Sequence, residues 1–212
     1  MTPKQEAYKN LGNSMIKNFQ KRNMEAYYCE TSEDAVKLAL ELMKDGGTVG
    51  MGGSSTVKEI GLVDALKTSD HLEFIDRSVA KTAEEKQEIF FKTIQCKYFL
   101  MSSNAITIDG ELVNIDGNGN RLACLMCGPE QVLVIAGMNK VVDDVESAVQ
   151  RVGTHAAPPN AVRLGTRTPC ATLGHCNDCH SDDCMCAHIV VTRHSRQKGR
   201  IKVILVGEEL GY

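Results

Sequence analysis

The 212-residue chain carries 24 basic and 27 acidic residues, a net charge of -3, and has no tryptophan and only five phenylalanines and five tyrosines. The length suits one large α/β domain with at most a small appendage, and the charge balance gives no electrostatic footprint for nucleic acid or an anionic membrane. The stretch Met1–Asn23 has neither a continuous apolar run nor a small-residue cleavage site, so it reads as neither signal peptide nor membrane span and points to the cytoplasm.

In chain order, Thr2 and Pro3 read as cap and first-turn residues of a helix with Ala7, Leu11, Met15, Ile16 and Phe19 on one face. "MEAYYC" (24–29) is a short strand. "TSEDAVKLALELMKDGG" (31–47) is a helix, capped by Thr31 or Ser32 and closed by Gly46 and Gly47. "TVGMGG" is a strand ending in glycines, and "SSTVKEIGLVDALKT" (54–68) is the helix after it. A strand "HLEFID", a helix "TAEEKQEIFFKTIQ" with Thr82 and Glu85 as a capping box, and a strand "CKYFLMSS" continue the alternation.

The rhythm breaks at "AITIDGELVNIDGNGNR" (105–121), where Asp109-Gly110 between alternating apolar residues predicts a tight hairpin. A short helix "RLACLMCG", an apolar strand "QVLVIAGM" and a last long helix "VDDVESAVQRVGT" follow. "HAAPPNAVRLGTRTPC" (155–170) reads as a loop. "HIVVTRHSRQKGRIKVILV" (188–206) reads as two strands joined by a polar, solvated turn at Arg193–Lys202. Strand and helix alternating through most of the chain predict an α/β fold, a mostly parallel sheet with helices on both faces, ending in a C-terminal β-hairpin at one edge. The expected organisation is an α/β domain over 1–169, a Cys-rich metal-binding loop over 170–188, and C-terminal strands over 189–212 packed on the main sheet.

The turn "VGMGGSST" carries the first chemistry. Gly50, Gly52 and Gly53 let the backbone turn sharply and approach a ligand, while Ser54, Ser55 and Thr56 offer hydroxyls where free helix N–H groups point outward. That is the physics of a phosphate or carboxylate site, and equally of a tight strand-to-helix turn with serine as N-cap. Neither G-x-G-x-x-G nor a Lys-Ser/Thr ending is present, which excludes the dinucleotide fingerprint and the P-loop.

The second concentration of chemistry is "PCATLGHCNDCHSDDCMCAH" (169–188), with five of the nine cysteines and three of the six histidines. No export signal places those thiols in a reducing compartment, where metal ligation or burial outweighs disulfide pairing. Cys176 and Cys179 form a C-x2-C pair able to chelate one centre with two further ligands. Cys170, Cys176, Cys179 and Cys186 give C-x5-C-x2-C-x6-C, similar to the single-loop iron–sulfur motif of DNA glycosylases. Structural zinc would use the same thiolates and admit His175 or His180, but zinc sites favour two knuckles and one is visible, so the iron–sulfur cluster leads zinc. Roughly twenty polar residues cannot offset about 1–2 kcal/mol each of backbone ordering by apolar burial, and a metal centre supplies on the order of 10 kcal/mol. Cys124 and Cys127, a second C-x2-C on an apolar helix, read as core, as do Cys29 and Cys96.

Three segments, "VGMGGSSTVKEIGLVDAL", "SSNAITIDGELVNIDGNGNR" and "VLVIAGMNKVVDDVESAVQRV", together resemble the LUD family, which includes the lactate-utilization protein C group. The resemblance spans nearly the whole chain, extends to "TPC", "CNDC" and "VILVGEELGY" at the C-terminus, and implies the fold of ribose-5-phosphate isomerase, glucosamine-6-phosphate deaminase and the CoA transferases. It also implies that Cys184 is a spare, and it proposes a ligand pocket at the carboxyl ends of the strands. The floor would be Gly52, Gly53, Ser54, Ser55 and Thr56, surrounded by Asn104, Asp116, Asn118, Asn120 and Lys140. Asn118 and Asn120 are turn residues first, whereas Asn104 is a poor strand residue and reads as functional. Asp116 is a base only if folding turns it inward, and "MSSNAI" lacks the acid that sugar isomerases of this fold place after a strand.

Two functions follow from the resemblance. One is an accessory or electron-transfer component in oxidation of lactate or a related hydroxy acid, with redox partner subunits, a small anionic metabolite as ligand, and a homo-oligomer as an open option. The other is an isomerase- or transferase-like enzyme on a phosphorylated or CoA-linked small molecule, its metal site purely structural. A nucleic-acid reading of the cluster loop is set aside on charge and low aromatic content.

Overall fold

The computed structural model describes residues 1–212 and opens with the helix α1, Pro3–Lys21. Thr2 accepts the amide of Gln5, and the Gln5 side chain returns to the Thr2 amide, so the first free N–H groups are satisfied locally. The chain then alternates through β1 (Glu25–Cys29), α2 (Ser32–Leu42), β2 (Gly47–Met51), α3 (Ser55–Glu59), α4 (Leu62–Lys67), β3 (Leu72–Phe74), α5 (Ala83–Ile94) and β4 (Tyr98–Met101). The helix expected over 54–68 is two short helices, α3 and α4. Gly61, left-handed at φ +81°, breaks the run between them.

Next come β5 (Ala105–Thr107), β6 (Leu112–Asp116), α6 (Asn120–Met126), β7 (Gln131–Gly137), β8 (Val141–Val142), α7 (Val145–Arg151), α8 (Ala157–Leu164), α9 (Pro169–Leu173), β9 (His188–Thr192) and β10 (Ile201–Val206). The predicted hairpin is β5–β6, antiparallel, with Gly110 at φ +89°. The stretch 155–170, read as a loop, contains α8. A π-helical turn, Val152–Ala156, lets the chain pass from α7 into α8, and Pro158 and Pro159 sit near the start of that helix, where a missing N–H costs little. No helix is long and apolar enough to cross a membrane.

The main sheet is six-stranded and wholly parallel, in the order β1-β10-β7-β4-β2-β3. Its central strands are apolar on both faces because helices cover both. Phe99, Val132, Val134, Val203 and Leu205 pack with Met15 and Phe19 of α1 and Leu122 and Leu125 of α6. Their alternate neighbours Tyr98, Leu100, Leu133, Ile135 and Ile204 pack with Ala35 and Ala39 of α2 and with Val57, Leu62 and Leu66. This is the expected α/β architecture.

The C-terminal hairpin is the correction. β9 and β10 do not pair with each other. β9 lies antiparallel to β6 in a second sheet of order β8-β5-β6-β9, and β10 enters the middle of the main sheet, parallel to β1 and β7. Burial explains the split: β10 is buried at five of six positions, whereas β9 is half-buried or exposed throughout. A near-continuous apolar strand gains most at the sheet centre, about 25 cal/mol per Å² of apolar surface.

Strand order also singles out one place along the sheet. The chain moves outward from β2 to β3, then returns across β2 to β4, so β2 and β4 meet at the reversal. Crevices outside the carboxyl ends of parallel strands at such a point are the usual ligand sites of open α/β sheets. The loops leaving β2, β4, β7 and β10 all emerge there.

Candidate functional site at the carboxyl ends of the strands

The turn after β2 starts with Gly52, whose amide donates to Leu100 O on β4. A Cβ on Gly52 would stand 2.9 Å from Arg121 Cγ, so the glycine admits the arginine stem over the turn. Gly53 is exposed and has nothing nearer than Arg77 Nη1, 3.7 Å from a Cβ built there. Ser54 caps α3 by accepting the Val57 amide. Ser55 begins α3, and Thr56 is almost fully buried, at 1 % exposure.

Lys140 leaves β7 on a 3-10 turn and points inward, at 4 % exposure. Its amine donates to Thr56 Oγ1 at 2.8 Å and to Ser102 Oγ at 3.0 Å, joining the loops after β2, β4 and β7. Burial pushes its pKa from the ordinary 10.5 down to about 7. The charges of Arg151 and Arg121 act in the same direction, and Glu59 opposes them. Lys140 is therefore the residue that ties these three loops together.

Arg121 is the residue that sequence reasoning missed. Its Nη1 donates to Ser102 O (3.1 Å) and Asn114 Oδ1 (2.7 Å), and its Nη2 to Asn104 Oδ1 (2.8 Å) and Ile115 O (2.5 Å). Asn104, read as functional, thus holds Arg121 and the Ile115 amide, while its carbonyl accepts from Arg151 Nη1 at 2.7 Å. Burial lowers the pKa of both arginines. Asp116 sits at the end of β6 with Oδ2 accepting the amides of Arg121 and Leu122, so it caps α6. Asn118 and Asn120 lie in the turn between β6 and α6 and make no side-chain hydrogen bond, as turn residues do.

The segment Gly207–Tyr212 crosses this assembly. Met138 N donates to Glu208 O, Leu210 N to Asn139 Oδ1, Gly211 N to Glu59 Oε2, and Thr56 Oγ1 to Leu210 O. Gly137 and Gly211 make the approach possible. A Cβ on Gly137 would stand 2.6 Å from Glu208 O and 2.7 Å from Leu210 N, both backbone atoms that cannot swing aside. Gly137→Ala should therefore lift this segment while leaving the sheet paired. Hydrogen exchange at Leu210 and Gly211 should rise several-fold, and unchanged exchange there would show that the crossing is not held by this contact.

The Lys140 amine also carries a pH prediction. Its pKa is depressed in the fold, so between about pH 7 and 10.5 the unfolded chain binds more protons than the folded one and stability rises with pH. Below about 7 the full penalty for burying the ammonium is present. Lys140→Met should remove this rise, at most about 1.4 kcal/mol per pH unit, relative to wild type. Urea unfolding of both proteins at pH 7 and pH 9.5 measures it, and parallel profiles would rule out a buried neutral amine.

The cysteine segment packs beside the same turn. A Cβ on Gly117 would meet Cys184 O at 3.3 Å, His188 Nδ1 lies 3.2 Å from Asp116 O, and Cys176 N donates to Gly153 O. Cys170 is buried on α9, its Sγ 3.2 Å from Thr168 Oγ1. Two turns have a backbone amide donating to a thiol two residues earlier: Asp178 N to Cys176 Sγ and Cys186 N to Cys184 Sγ, both at 3.4 Å. Hydrogen bonding to Ser181 pulls the Cys179 pKa down, with Cys184 adding to the effect. Burial pushes Cys186 up to about 12, and the other four thiols of the segment act on it in the same direction. The donor set and amide-to-sulfur turns suit a thiolate centre, but no three His, Cys, Asp or Glu side chains stand together in metal-binding geometry. All nine cysteines are free. Cys29, Cys96 and Cys124 are buried as expected, whereas Cys127, read as core, is exposed because α6 ends at Met126.

One solved structure of similar fold is a DUF162 family protein from Deinococcus radiodurans. It matches with a TM-score of 0.55 and 9% identity, covering 94% of this chain and 98% of that one. No curated protein matches the sequence. The LUD domain model matches residues 13–206, which takes in every strand of both sheets, so the chain belongs to the LUD domain family.

Proposed function

We propose that this LUD protein is an accessory or electron-transfer component in the oxidation of lactate or a related hydroxy acid. It would hold a small anionic metabolite at the carboxyl ends of β2, β4 and β7, and a metal at its cysteine segment. The observation that carries the pocket is the meeting of Lys140 with Thr56 and Ser102, flanked by Arg121 and Arg151. Three basic side chains are gathered where Glu59 is the one acid raising the Lys140 pKa. An anion would offset that excess positive charge in a low-dielectric site.

Cys170, Cys176, Cys179 and Cys186 are the thiols we assign to the metal, as an iron–sulfur cluster ahead of zinc. A cluster would supply one-electron chemistry for a partner subunit. The amide-to-sulfur bond at Cys184 adds a second knuckle-like turn, so the test must include that cysteine. The isomerase- or transferase-like alternative is weakened by Asp116, whose Oδ2 is engaged in capping α6 instead of standing free as a base.

Gly53→Val tests the pocket with little cost to the fold, because a Cβ there meets nothing closer than 3.7 Å. Phosphate, lactate and glycolate should each raise the melting temperature of wild type. Gly53→Val and Lys140→Ala should lose most of that response, about tenfold or more in affinity. Identical responses in all three proteins would place anion binding elsewhere.

A further inference from the structure

Resting on the anion pocket just proposed, we infer that Lys140 is a nucleophilic amine that captures the carbonyl of a small oxo acid as a Schiff base.

The hydrogen-bond inventory and the burial around Nζ favour a neutral amine. Ser102 Oγ and Thr56 Oγ1 accept from the lysine at 3.0 and 2.8 Å, and each also lies 3.4 Å from a backbone carbonyl, Ser103 O and Leu210 O. Two N–H donors are thereby used. An ammonium would be buried there with its charge opposed by the Arg151 and Arg121 guanidinium groups. A neutral amine uses both of its protons and keeps its lone pair. The downward pKa shift to about 7 agrees with that inventory. Near neutral pH such an amine is about three orders of magnitude richer in its free-base form than an ordinary lysine.

Gly211 covers the amine: a Cβ on this glycine would stand 3.3 Å from Nζ. The path to the lone pair therefore runs under the segment Gly207–Tyr212, and the carbonyl carbon must arrive when that segment lifts. Arg151 and Arg121 define what else the ligand carries. Arg151 uses Nε on Asn139 O and Nη1 on Asn104 O, leaving Nη2 for an anion. A carbonyl and a carboxylate on adjacent carbons satisfy both requirements.

The step balances without an oxidant. The amine lone pair adds to the carbonyl carbon, a proton passes from nitrogen to the carbinolamine oxygen, and loss of water leaves the C=N bond. The hydroxyls of Ser102 and Thr56 are the groups placed to pass those protons.

Glyoxylate with sodium cyanoborohydride at pH 7, followed by peptide mass mapping, tests the inference in the full-length protein. One reduced adduct should map to Lys140, accumulating on the order of tenfold faster than at the exposed Lys58, and faster again when the chain is ended at Leu210. Lys140→Arg places a guanidinium with no nucleophilic lone pair at this position and should lose the adduct. Adducts on surface lysines alone, in wild type and in the shortened chain, would overturn the nucleophile. The same proteins read by phosphate thermal shift separate the two proposals: a retained response without a Lys140 adduct leaves the anion pocket standing, and loss of both removes it.

Discussion

Cys176→Ser and Cys179→Ser, singly or together, are expected to strip the metal from anaerobically purified protein and to release the segment between α9 and β9. Gly174–Ala187 contains no helix or strand, and Leu173 and Ile189 at its flanks are more than half exposed. Apolar burial cannot offset about 1–2 kcal/mol of backbone ordering per residue over that length, whereas a thiolate centre contributes on the order of 10 kcal/mol. Metal content by elemental analysis should fall to background. Proteolytic cuts should appear within 174–187, with the main sheet still folded. Cys184→Ser should retain the metal, and a loss as complete as that of Cys176→Ser would make Cys184 a ligand in place of one of the four. A broad absorption near roughly 400 nm, bleached by reduction, distinguishes an iron–sulfur cluster from zinc. Wild type purified without any metal would defeat the assignment.

Local chemistry was legible in the sequence wherever one residue settles its own neighbourhood. Thr2 before Pro3, Thr31 or Ser32, and Thr82 with Glu85 announce helix starts, and in the fold Thr2, Thr31 and Thr82 each accept an amide three residues on. Asp109-Gly110 announces its turn because glycine accepts positive φ. Pairing across long separations was not legible in this way. β9 and β10 are neighbours in sequence, and only the contrast between apolar "IKVILV" and half-exposed "HIVVT" hints that they join different sheets. The stretch 155–170 reads as a loop, but Pro158 and Pro159 lie at a helix start, where proline forfeits no bond.

The residues of the proposed pocket show the same division. Thr56 was visible as chemistry beside a glycine turn, and Lys140 through the family resemblance. Arg121 opens the short helix "RLACLMCG", and its hydrogen bonds depend on Asn104 and Asn114 arriving from other elements. A signal was present in Asn114, a poor strand former between Val113 and Ile115. An amide in a buried strand requires a partner, and its 0 % exposure confirms the demand.

Arg121→Met is accordingly expected to produce the largest loss of stability among single changes at the pocket, on the order of 3–5 kcal/mol. Four side-chain hydrogen bonds end on acceptors at Ser102, Asn104, Asn114 and Ile115, and methionine satisfies none of them. Each buried acceptor left unpaired costs about 1–3 kcal/mol before relaxation. Losing the charge recovers part of this, since burial lowers the arginine pKa, and methionine fills the space over Gly52 that the stem occupies. Asn114 is the reason the recovery is incomplete. Its Nδ2 is already without a partner, so removing the Oδ1 bond would leave a fully buried amide with none. Arg121→Lys should rescue little, because one ammonium cannot span acceptors that the planar fork reaches in two directions. Melting temperature should fall by about 10 °C in both variants. A fall of only about 2 °C in Arg121→Met would show that the arginine is kept for the ligand and not for the fold, and anion affinity should then drop far more than stability does.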